Sequence, residues 1–157
     1  MEGKYDPRNK LNDLTGKEWL KLTKSFWMSE KCADDKAAFG HPAPFLIKDI
    51  EKLISFFTKK EMSVLDPFMG SGTTAIAAYN LGRLALGMDL SEEYRDLAVE
   101  RFKSKGMRET DYQYFIGDST KELTVFKRVD YIVTSPPYHN ILKNKSKGIR
   151  NDNSHKG

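Results

Sequence analysis

The sequence predicts an α/β fold in which about four parallel strands alternate with helices in a doubly wound order. Two observations carry this expectation. Short apolar runs at Ser63 to Asp66, Leu84 to Leu90, Tyr112 to Ile116 and Val129 to Thr134 are separated by stretches with helical spacing. A glycine-rich turn lies where the first of these runs meets a helix, the junction at which such sheets bind ligands.

The elements follow in chain order. Thr15-Gly16-Lys17-Glu18 has capping-box spacing, so a helix should start at Lys17 and carry Trp19, Leu20, Leu22, Phe26 and Trp27 as a core or docking element. After a loop with Gly40, Pro42 and Pro44, the residues Leu46, Ile47, Ile50, Leu53, Ile54 and Phe57 fall on one face of an amphipathic helix. A helix from Thr73 to Leu81 ends at Gly82. Another runs from Glu92 to about Lys103, with Ser91 as its N-cap and Gly106 beyond its end.

Composition excludes several classes. The chain of 157 residues is 39% hydrophobic and 31% charged, the balance of one globular unit. No apolar run reaches the roughly 18 to 20 residues of a membrane span, and the charged N-terminus does not read as a signal peptide, so a cytoplasmic location is expected. A single cysteine, Cys32, rules out an internal disulfide, and the scattered His41, His139 and His155 make no metal site. The formal charge of +4 permits nucleic-acid binding without requiring it. Its placement says more. From Lys143 onward the chain is basic and polar, a solvated tail or a segment that orders on phosphates. The expected organisation is a helical extension over 1–35, a core over 36–142 and a basic tail over 143–157.

In Asp66-Pro67-Phe68-Met69-Gly70-Ser71-Gly72-Thr73, the glycines let the backbone turn sharply, and the helix that follows offers unpaired N–H groups. Gly70 to Ala75 fits G-x-G-x-x-G/A, and Asp89, followed by Leu90, lies about twenty residues on, where an acid can accept hydrogen bonds from ribose hydroxyls. Asp118 closes the third strand in the same way. These features alone suit a nicotinamide nucleotide equally well. Asp66 discriminates, because a carboxylate ahead of the glycines repels a pyrophosphate but pairs with the ammonium of a methionine moiety. The ligand is therefore read as S-adenosylmethionine.

The fourth run leads into Thr134-Ser135-Pro136-Pro137-Tyr138. The two prolines fix their φ angles and keep Ser135 extended, which leaves carbonyl oxygens to dominate the local surface. An exocyclic base amine must have its delocalised lone pair localised before it can attack a methyl group, and acceptors on its hydrogens do this. Ser135 Oγ and the Pro136 carbonyl are assigned as those acceptors, with Tyr138 stacking on an extruded base.

At these two turns the sequence resembles the DNA amino-methyltransferases that act on cytosine N4 or adenine N6, in which an FxGxG turn binds the methyl donor and a [DNS]PP[YFW] turn carries catalysis. The resemblance implies a Rossmann-like methyltransferase fold, here partial, and a restriction-modification context. It extends to Lys36 through Phe45, which looks like the family element lining the methionine part of the donor and brings in Phe39, His41 and Pro44 as cofactor-binding residues. Serine in the first catalytic position leans toward cytosine N4. Double-stranded DNA is the implied substrate. Family members continue past the catalytic turn with three more strands and a target-recognition region, so the remainder is expected on a second polypeptide or in a longer chain. A non-catalytic, partner-dependent subunit is the alternative reading. Methylation at cytosine C5 is disfavoured, since its nucleophilic cysteine belongs at the fourth-strand turn and Cys32 lies far upstream.

Overall fold

A computed structural model of the protein describes residues 6–38, 41 and 44–136. The described chain runs α1 (Gly16–Leu22), α2 (Ile47–Phe57), β1 (Ser63–Asp66), α3 (Thr73–Asn80), β2 (Leu84–Asp89), α4 (Glu92–Ser104), β3 (Tyr112–Ile116), α5 (Ser119–Glu122) and β4 (Tyr131–Ile132), with short 3-10 turns at Ala33–Ala38 and Leu123–Val125. The four strands form one parallel sheet in the order β3-β2-β1-β4. The first three strands step outward in one direction and the fourth returns to the other side of β1. The order therefore reverses between β1 and β4, and the crevice beyond their carboxyl ends is where open α/β sheets take ligands.

Burial follows the pleat. Every residue of β1 is buried, as expected of an inner strand of a parallel sheet. Val64 and Ala85 face a core built from Ile47, Ile50 and Ile54 of α2, Ile76 and three alanines of α3, and Ala98 and Phe102 of α4. Leu65, Leu86 and Met88 face the other way, toward Phe126. Among the described residues the long helices thus share one face of the sheet. The opposite face is covered mainly by the segment around Phe126, and Phe115 and Ile132 remain exposed.

Most predicted boundaries agree to within a residue or two, and the departures have local causes. The α1 capping box is present, with Thr15 accepting from the Glu18 N–H, but the helix stops at Leu22 and buries no residue. Phe26 and Trp27 are not helical. They stand exposed, with the Trp27 indole donating to Asp49 at 3.1 Å, so α1 is no core element. Leu46 caps α2 rather than entering it. The fourth strand is shorter than Val129 to Thr134: Asp130 accepts from Ser63 N and Ser63 Oγ at its start, and Thr134 turns inward at its end. Strand β2 stops at Asp89 because that carboxylate bends back to accept from Ser91 N, and it leaves Leu90 exposed.

The glycine turn depends on one close packing contact. Gly72 is the N-cap of α3 at φ 80°, and a Cβ there would lie 2.5 Å from Phe102 Cε1 and 2.9 Å from Ala98 Cβ. Only glycine lets α4 seat against this turn. Phe102 is 1% exposed and packs on Tyr112 with ring centroids 4.6 Å apart. Phe102→Ala is expected to lose about 3–5 kcal/mol of unfolding free energy in urea titration, and Phe102→Leu distinctly less. Equal losses would show that the ring does not support the turn.

Candidate functional site

The site is assembled at the carboxyl ends of β1, β2 and β4. Asp66, the last residue of β1, is 2% exposed and uses both carboxylate oxygens. Its Oδ1 accepts from Phe68 N at 3.0 Å and from Thr134 Oγ1 at 2.7 Å, and its Oδ2 accepts from Thr74 Oγ1 at 2.6 Å. One side chain thus ties together the start of the glycine turn, the first turn of α3 and the residue before Ser135. Burial raises its pKa from the ordinary carboxylate value, against the lowering effect of the three hydrogen bonds.

The glycine turn is held from several sides. Met69 N donates to Met88 O at 2.9 Å and Gly70 N to Asp89 Oδ2 at 2.8 Å, so the turn rests on the end of β2. Tyr114 of β3 donates its hydroxyl to Gly70 O at 2.8 Å. Burial, with Asp89 and Asp66 nearby, pushes the Tyr114 pKa upward, so the phenol remains a donor. Ser119 Oγ donates to Pro67 O, docking α5 onto the same turn. Gly70 has φ 52°, and a Cβ there would meet His41 Nε2 at 3.0 Å. His41 is half-buried and packs edge-on against Tyr94 at 4.6 Å; burial holds its pKa below the usual imidazole value, with Asp89 opposing.

Beside this turn is an open cleft with about 310 Å³ of empty space, lined by His41, Pro44, Phe45, Asp66, Phe68, Met69, Gly70, Ser71, Thr73, Thr74 and Ser135. It joins the two turns singled out in the sequence. Pro67 lies behind the cleft, its carbonyl taken by Ser119. Asp89 and Leu90 adjoin the turn without lining the cleft, while Pro136 is exposed beyond Ser135. Asp118 sits at the sheet edge as the N-cap of α5, where its Oδ1 accepts from Thr120 N at 2.9 Å and its Oδ2 pairs with Lys121 at 2.8 Å. The hydrogen bonds from Lys121 and Thr120 hold its pKa down at about 2. Its carboxylate therefore serves the helix first. Phe39, Pro137 and Tyr138 fall outside the described residues. Among the described residues no cluster of histidine, cysteine and carboxylate side chains could hold a metal ion, and no helix is long and apolar enough to cross a membrane.

Four contributors were not singled out in the sequence. Thr74 and Thr134 read as ordinary helix and strand-end residues, since their acceptor is eight residues away in one case and 68 in the other. Tyr114 reads as a strand aromatic. Arg101 reads as a surface charge in the last turn of α4 yet is 3% exposed beneath the glycine turn. For Tyr114 alone a signal existed, because alternation along β3 puts it on the helix-covered face with Tyr112.

Comparison with known proteins gives a consistent result. A family model described as DNA methylase matches residues 1–100. The orphan methyltransferase M.BamHII of Bacillus amyloliquefaciens is 45% identical over 75 residues, which cover 48% of this chain and 28% of that protein. A tRNA (guanine(10)-N2)-dimethyltransferase of Pyrococcus abyssi is 32% identical over 106 residues, covering 66% of this chain and 31% of that protein. Among solved structures, a Thermus thermophilus protein described as a DNA modification methylase, complexed with S-adenosyl-L-methionine, aligns with a TM-score of 0.51 and 31% identity, over 67% of this chain and 39% of that one. This chain spans less than two fifths of the length of each of these proteins.

The bonding of Asp66 makes a pH-dependent prediction. Its raised folded-state pKa means that its contribution to stability is fully present below the unfolded value, 3.8, and is lost as pH rises through the folded value. Thr134→Val removes one donor to the charged form, so it should be nearly silent in acid and cost about 1–2 kcal/mol once the pH exceeds the folded-state value. Urea unfolding of both proteins across that pH range measures this. A loss independent of pH would show that Thr134 acts through packing alone.

Proposed function

Because this chain belongs to the DNA methylase family, whose model spans residues 1–100, we propose that it carries the donor site and catalytic turn of an enzyme moving a methyl group from S-adenosylmethionine to the exocyclic amine of a DNA base, with cytosine N4 preferred to adenine N6. One observation carries the reading. The Asp66 carboxylate binds both turns, and Ser135 consequently lines the same cleft as Gly70, Ser71 and Thr73.

The residues present fit this donor. Gly70 leaves open the volume that a side chain would fill against His41. Hydroxyls of Ser71, Thr73 and Thr74 and the carboxylate of Asp66 line the cleft beside apolar Phe45, Phe68 and Met69, a mixture suited to an amino-acid moiety joined to a thioether-like chain. Asp66 Oδ2 accepts from Thr74 and retains a lone pair for an ammonium. Asp89 holds Gly70 and Ser91 and keeps acceptor capacity for ribose hydroxyls; exposed Leu90 offers an apolar surface to an adenine ring. His41 and Pro44, with Phe39 on the family resemblance, are assigned to the methionine end. Asp118 supports the site at one remove, fixing the helix whose Ser119 holds Pro67. When bound, S-adenosylmethionine supplies a methyl group on a cationic sulfonium.

Ser135 Oγ and the Pro136 carbonyl accept the two amine hydrogens of the target base, which concentrates the lone pair on nitrogen for attack. Pro137 restricts this turn, and Tyr138 stacks on the extruded base, offsetting part of the few kcal/mol that unpairing costs. Double-stranded DNA is the substrate in this reading. A second reading draws on the short span relative to the matched proteins: the chain binds donor and completes an active enzyme only with a further polypeptide or the rest of a longer one.

Calorimetry with S-adenosylmethionine followed by nucleoside analysis of duplex DNA incubated with labelled donor tests both readings. The expected results are binding at one site and labelled N4-methylcytosine. Ser135→Ala should keep donor binding and reduce transfer by about 100-fold or more. Labelled N6-methyladenine would overturn the base assignment, binding without transfer would favour the partner-dependent reading, and no binding would overturn the donor site.

A further inference from the structure

Behind the glycine turn lies a buried cation that the reading above does not use. Arg101 comes from the last turn of α4, a position that is usually solvated, yet it is 3% exposed. Its Nη1 donates to Ser71 O, to Ser71 Oγ at 3.3 Å and to Thr73 Oγ1 at 3.1 Å; its Nη2 reaches Asp34 O at 3.4 Å. Each of these partners is a neutral oxygen, and the buried Nε has no hydrogen-bond partner among the described residues. Nearby Asp35, 2% exposed, spends its oxygens on Ile47 N at 3.0 Å and Cys32 N at 2.6 Å. Asp34 gives its carboxylate to Lys105 at 2.8 Å.

A guanidinium stays charged even where burial pulls down its pKa, as it does here against the opposing influence of Asp35 and Asp34. Its hydrogen bonds nonetheless go only to neutral oxygens, while the Asp35 and Asp34 charges act on it without a hydrogen bond, and a buried charge so placed favours a directly bonded anion in the adjoining space. That space is the cleft, because Ser71 and Thr73, the residues Arg101 holds, both line it. By fixing the Ser71 carbonyl to the rear, the guanidinium also polarises the two hydroxyls. The first turn of α3, capped by Gly72 with no side-chain hydrogen bond, adds N–H groups with the same preference.

We propose that Arg101 is a positioning residue that shapes and charges the Ser71–Thr73 corner to receive the carboxylate of the donor's amino-acid moiety. This rests on the donor-site reading. It separates the cleft into an anion-accepting corner governed by Arg101 and an ammonium-accepting corner at Asp66, so the ligand class is an adenosine derivative that carries a zwitterionic amino acid.

The test compares two ligands by calorimetry on the full chain: S-adenosylhomocysteine, which has the amino-acid carboxylate, and 5′-methylthioadenosine, which lacks it. Arg101→Met is expected to weaken the first about tenfold or more while changing the second by less than about twofold. Arg101→Lys, which keeps the charge but loses the fork, should recover part of the difference. Should the methionine variant fail to fold, Arg101→Gln takes its place. Equal weakening of both ligands would reduce Arg101 to a structural role and overturn the proposal, as would no weakening of either. If the unsubstituted protein binds neither ligand, the donor-site reading falls first, and that failure is recognisable because it requires no variant.

Discussion

One buried carboxylate determines how the two functional turns meet. Asp66 ends the inner strand β1 at 2% exposure, and its three hydrogen bonds reach Phe68 in the glycine turn, Thr74 in α3 and Thr134 after β4. A desolvated carboxylate without such donors would be forced to neutralise or to unfold its surroundings. The donors therefore have little freedom to be elsewhere, and the reversal of strand order between β1 and β4 becomes a clasp. The cleft that contains both Ser71 and Ser135 follows from that constraint.

Around the clasp, apolar packing sets the backbone and polar groups then use it. Gly72 admits the Phe102 ring, which seats α4; α4 in turn delivers Arg101 to the back of Ser71 and Thr73. On the other side, Gly87 leaves room for Met69, since a Cβ there would overlap Met69 Cε. The turn is thus supported by β2, β3, α4 and α5 together. A site held from four elements is the pre-organised kind on which positioning chemistry depends.

Much of this was legible in the sequence, and the reasons differ by element. The strands and the helices Ile47–Phe57, Thr73–Asn80 and Glu92–Ser104 announce themselves by period and by caps, because Ser91, Gly82 and Gly106 act locally. The two turns were legible because glycine and proline restrict the backbone wherever they stand. Phe26 and Trp27 misled, since apolar spacing continued past Leu22 after the backbone had left the helix. Asp118 follows the third strand as its position suggested, and Thr120 and Lys121, two and three residues on, engage its carboxylate, a helix-capping use the strand-end reading did not include. The bonds from Asp66 to Thr134, from Arg101 to Ser71 and Thr73 and from Tyr114 to Gly70 join residues that only the tertiary fold brings together, and no local pattern reports those partners. Membership in the DNA methylase family, shown over residues 1–100, agrees with the glycine-turn half of the reading.

The central claim is spatial: the clasp brings the bound donor's transferable methyl within reach of Ser135. Nuclear Overhauser contacts from S-adenosylmethionine carrying a ¹³C-labelled methyl group measure that placement directly. Contacts from the methyl to Ser135 and Phe68 are expected, with those to Ser135 lost and those to Phe68 kept when Thr134→Val breaks the bond to Asp66. Methyl contacts confined to Leu90 and its neighbours, or contacts to Ser135 unchanged in the Thr134→Val protein, would contradict this placement.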